Sequence, residues 1–148
     1  MSDVSAESPK PFFIALLILG GTLCFAILFV LIDILLAMDS PSSGAVGGFL
    51  AAMGVGQYLA GKRSAPLPRK TKWLAAGWYT LLALALGGVL LALDAALNPE
   101  LSELASLSAG LLLVIAGIAV VLSLPLTYAG LLVGEKAAAR FAAKKAGR

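Results

Sequence analysis

Four membrane-spanning helices, paired as an antiparallel bundle of two hairpins, are the all-α fold that this sequence predicts. Three observations lead there. Hydrophobic residues make up 60% of the chain and charged residues 13%, a balance far from that of soluble domains. The apolar residues gather in four blocks, 12–38, 44–61, 73–94 and 105–134, each close to the about 20 residues of helix that cross a hydrocarbon core. All 11 Lys and Arg come to one side of the bilayer if the chain crosses four times. Backbone amides in lipid must be paired within the segment, and leucine and alanine runs without strict alternation favour helices over barrel strands.

The N-terminal tail is short and polar, and Pro9 and Pro11 suit an extended lead into the first helix. No A-x-A pattern closes the apolar block that follows, so it reads as an uncleaved signal anchor. A helix rising from Phe12 covers about 31 Å before Asp33, which places that carboxylate near the far interface. The polar turn Asp39-Ser-Pro-Ser-Ser-Gly44 then reverses the chain. The second helix, about 27 Å long, is short and steep. It ends on charge at Lys62, where Pro66 and Pro68 keep a basic connection extended. Trp73 opens the third block, which meets Asp94 and then an acidic stretch. The fourth block is longer than the core is thick and contains Pro125, which predicts a kink or local distortion eased by Ser123 and Thr127. A basic tail, 135–148, is rich in helix formers and is expected to prolong that helix into the cytoplasm.

Charge sets the orientation. With both termini inside, Lys62, Arg63, Arg69, Lys70, Lys72, Lys136 and Arg140 lie against the anionic inner leaflet, where they fix topology and meet lipid headgroups. Asp33, Asp39, Asp94, Glu100 and Glu103 fall on the opposite side. Tyr58, Trp73 and Tyr128 sit at the basic helix ends, as interfacial aromatics do. The expected location is therefore a bacterial inner membrane, multi-pass, N-in and C-in. Topology accounts for the basic residues, and no nucleic-acid partner is expected.

The second block carries the most distinctive pattern. In a helix Gly44, Gly48, Ala52, Gly56 and Ala60 fall every fourth residue and form one side-chain-poor stripe. Such small-xxx-small faces let helix backbones approach closely, the usual source of association in lipid. Gly130 and Gly134 repeat the spacing on the fourth block. Gln57, Tyr79, Thr80, Ser123 and Thr127 are the uncharged polar groups within the spans, suited to hydrogen bonds between helices.

Little here points to catalysis. The chain has no histidine and a single cysteine, and no phosphate loop or nucleophile-base pattern. No metal or cofactor is expected. Asp33 and Asp94 abut the apolar blocks at matching depths, and a paired carboxylate there is a candidate proton or cation site.

Gly61, Lys62, Arg63, Ala65, Pro66, Lys72 and Trp73, with four helices and a basic tail, resemble an uncharacterised family of small four-helix bacterial inner-membrane proteins. In that family a glycine-rich second helix leads to a basic, proline-containing loop and a Lys-Trp pair. This chain has Arg69, Lys70 and Thr71 where the family carries an acid before that pair. The resemblance implies a fold and no activity. The expected function is non-enzymatic, through helix packing with itself or a membrane partner. An immunity protein against a membrane-acting toxin is one concrete form, by analogy of architecture. The alternative is a small transporter or channel subunit coupled to protons or cations through Asp33 and Asp94.

Overall fold

A computed structural model describes residues 9–36, 43–63, 65–97 and 109–146. They form four helices: α1 Pro11–Leu36, α2 Ser43–Lys62, α3 Arg69–Leu97 and α4 Ala109–Ala146. Of the expected turn at 39–44, residues 39–42 lie outside the described residues, while Ser43 and Gly44 open α2; residues 98–108, in the acidic stretch and the start of the fourth block, lie outside them too. Three spans are long and apolar enough to cross a membrane, Pro11–Leu35, Arg69–Leu93 and Leu113–Ala146. Helix α2, 20 residues long, is built largely of glycine and alanine.

One helix start differs from the sequence reading for a physical reason. Helix α3 begins at Arg69 rather than Trp73, because Pro68 offers its carbonyl to the Lys72 amide at 3.2 Å. The helix therefore starts directly after the proline, four residues before hydropathy rises. Helix α4 runs unbroken through Pro125 and absorbs the basic tail as far as Ala146.

Each helix packs on two others. Helices α2 and α3 both pack on α1 and on α4, so the ring order is α1, α2, α4, α3. The core consists of Ile14, Ala15 and Ile18 of α1, Ala51, Ala52 and Leu59 of α2, Leu67, Ala75 and Tyr79 around α3, and Leu131 of α4. These residues cluster towards the basic end. Beyond them Ile34 and Leu35, Val89 and Leu90, and Leu113 and Val121 are exposed, as befits helices whose solvent is hydrocarbon.

The tightest seam joins α2 to α4. A Cβ on Gly56 would stand 2.6 Å from the Leu131 carbonyl, one on Gly130 would stand 2.8 Å from Ala52 Cβ and from the Phe49 carbonyl, and one on Gly134 would collide with the Met53 carbonyl. The predicted stripe is thus filled from within the chain, by the small-residue spacing of α4. At Gly48 the neighbour is different, the Tyr79 hydroxyl 2.6 Å from a Cβ position. Helix α1 closes the other flank of α2, with Gly21 against Ala51 and Gly47 against Phe25.

Candidate functional site

The polar residues converge at the basic end. Pro66 and Pro68 hold the connection after α2 extended, and Leu67 between them is buried as an apolar anchor. Its backbone amide donates to Glu135 Oε1 at 2.8 Å. Lys72 lies in the first turn of α3, with Ala75, Ala76 and Tyr79 at the i+3, i+4 and i+7 positions, all buried. That face turns inward, and the Lys72 ammonium donates to Glu135 Oε2 as an ion pair. Both side chains are shielded, 5% and 9% exposed. Removing two charges from water costs several kcal/mol each, so such a pair contributes more to fixing one arrangement of helices than to net stability.

Aromatic groups flank the pair. Trp73 and Tyr128 stack with centroids 4.6 Å apart and a 17° interplanar angle, which joins α3 to α4. Phe12 meets Trp78 edge-on at 5.5 Å and joins α1 to α3. Lys62 lies 4.5 Å above the Tyr58 ring; Tyr58 is exposed, so this contact contributes only about 0.5–1 kcal/mol.

Between the end of α2, the connection and the prolonged α4 lies a cavity of about 790 Å³. Ala60, Gly61, Ala138 and Ala139 leave the room, and Arg63, Lys72, Glu135 and Lys136 supply the charge. One guanidinium nitrogen of Arg63, Nη1, is buried with no hydrogen-bond partner. A smaller cavity of about 280 Å³ lies deeper, bordered by Gly48, Tyr79, Ser123 and Thr127. Hydroxyls pair beside it. Thr22 donates to the Ile18 carbonyl at 2.8 Å, so the Tyr79 hydroxyl, 3.2 Å away, is the donor to Thr22. Thr80 and Ser123 lie 3.0 Å apart. These contacts fit the interhelical role read for the hydroxyl residues.

The charged residues expected at the lipid surface divide. Lys62, Arg69, Lys70, Lys136 and Arg140 are exposed. Lys72 is a correction: it is buried against Glu135, because it occupies the inward face of α3. Arg63 is half-buried and lines the cavity. Along the stripe Gly48, Ala52 and Gly56 are buried and Ala60 is half-buried, while the surroundings of Gly44 lie outside the described residues. Asp33 is half-buried on α1, and the Asp94 side chain lies outside the described residues. Among the described residues no group of three His, Cys, Asp or Glu could hold a metal ion.

Glu135, buried and paired with Lys72, is the residue of this site that sequence reasoning passed over. The signal was present: beyond the N-terminal tail it is the one acid on the basic side of the charge map. An acid isolated among cations at the edge of an apolar block has partners close at hand.

Comparison with protein-family models, curated proteins and solved structures finds no match.

Proposed function

We propose that this chain is a non-enzymatic inner-membrane protein of four spans, N-in and C-in, that works by lateral packing against a second membrane protein. The observation that carries the reading is the uneven burial of its helices. In α1 beyond Ile18, α3 beyond Thr80 and α4 before Thr127, no described side chain is buried, although all three stretches are strongly apolar. Three helices whose side chains over so much of their length are at most half-buried offer surface to lipid and to other helices.

The hairpin arrangement draws support from paired positions. Gly21 and Ala51, then Phe25 and Gly47, approach in opposite numerical order across α1 and α2. Lys72 with Glu135 and Thr80 with Ser123 do the same across α3 and α4. The location of Lys and Arg favours a cytoplasmic basic end. The glycine stripe is no longer the contact surface in this reading, because α4 occupies it; the surface moves to the far halves of α1, α3 and α4. An immunity protein against a membrane-acting toxin is a narrower form of the same reading.

The test is photocrosslinking in native membranes with a probe at Val121 or Leu122 of α4, and separately at Tyr58. The expected result is a discrete adduct with another membrane protein from the α4 positions and none from Tyr58. Adducts with lipid alone at every far-half position tried on α1, α3 and α4 would overturn it.

A further inference from the structure

We infer that the cavity at the basic end is a built site for a phosphate-bearing anion of the glycerophospholipid headgroup class. The inference rests on the membrane reading above and replaces diffuse attraction to the inner leaflet with a defined place. Charge is the first argument. Glu135 is already engaged by the Lys72 ammonium and the Leu67 amide, so among the described residues Arg63 and Lys136 remain as uncompensated cations on the cavity wall. The Arg63 guanidinium is the second. Arg63 lines the cavity and its buried Nη1 has no acceptor among the described residues, and a planar guanidinium fork matches the oxygens of a phosphate.

Shape is the third argument. Beside the cations the lining is apolar, with Leu132, Ala138 and Ala142 of α4 and Ala60 of α2. A cavity of about 790 Å³ falls within the range of small-molecule sites. Cations together with an alanine-rich lining suit an ester whose phosphate is charged and whose remainder is not. The site also stands where the apolar length of α4 gives way to its basic extension, the depth of a headgroup.

The experiment uses the full chain purified in a neutral detergent. Short-chain phosphatidylglycerol, short-chain phosphatidylcholine and inorganic phosphate are titrated separately, and retained adducts are read by native mass spectrometry. Phosphatidylglycerol is expected to be retained about tenfold more tightly than phosphatidylcholine, and Arg63→Gln to lose about tenfold of that affinity, the scale of one charge-assisted hydrogen bond. Ala139→Leu, which fills the cavity without altering charge, is expected to lose binding as well, whereas Lys70→Gln at an exposed position keeps it. Displacement of phosphatidylglycerol by inorganic phosphate assigns the site to soluble phosphate esters; retention against phosphate assigns it to lipid. Equal binding by wild type, Arg63→Gln and Ala139→Leu would overturn the proposal. Failure of the Val121 and Leu122 crosslinks leaves this detergent measurement untouched, so the two readings fail separately.

Discussion

The two halves of this bundle are held by different physics. At the basic end, small residues bring α2 and α4 into backbone contact, and a shielded ion pair ties α3 to α4. In the far half α1, α3 and α4 keep their apolar side chains exposed, and only α2 remains buried as far as Gly47. Lipid provides no hydrophobic reason for helices to associate, so close packing and polar contacts must do so. The half rich in both is packed, and the half with few of either, Gly21 on Ala51 and the Thr22 and Ser123 hydroxyl contacts among them, is open.

Breaking the ion pair is the severest test of that contrast. Glu135→Gln keeps an acceptor for the Leu67 amide but strands the Lys72 charge, and a loss of about 3–5 kcal/mol is expected. Reversible unfolding in mixed micelles measures it, and Lys72→Met combined with Glu135→Gln, which keeps an acceptor for the Leu67 amide, is expected to recover most of the loss. A loss below about 1 kcal/mol is the mark of a solvated pair and removes the ion pair as the reason for the difference.

The glycine seam comes next. Gly134→Ala drives a methyl against the Met53 carbonyl, a backbone atom that cannot step aside, and a loss of about 1–3 kcal/mol is expected. Gly117 lies in the open half with nothing within 4 Å of a Cβ position, so Gly117→Ala is expected to be neutral or to gain up to about 1 kcal/mol from helix propensity. Equal losses at the two glycines break the comparison. The smallest effect is expected at the boundary of the halves. Thr80→Val removes the hydroxyl contact with Ser123, and a loss of about 0.6 kcal/mol measured in the same micelles matches interhelical hydrogen bonds in membranes.

The helices were legible because hydropathy and length are properties of single segments. The α2 stripe was legible too, as was the matching spacing at Gly130 and Gly134, since both are periodic. That these two faces meet each other was not, because periodicity marks a surface without naming its partner. Lys72 was read as one of a run of cations, yet a helix start displaced to Arg69 by Pro68 turns it towards α4 while Lys70 faces outward. The cavity was beyond sequence reasoning, for it exists only where the end of α2, a proline-held connection and the prolonged α4 come together.

Helix α2 carries its glycines on the face that meets α4. In the four-span reading this has a consequence for biosynthesis. The second helix leaves the ribosome long before the fourth, and until then its small-residue face has no close-packed partner on α4. Only α1, across Gly21 and Gly47, is there to shelter it in the interval. Maturation is therefore ordered by the C-terminus: a chain released before Gly130 and Gly134 are made carries a second segment without its dock, exposed to the quality-control proteases of the membrane.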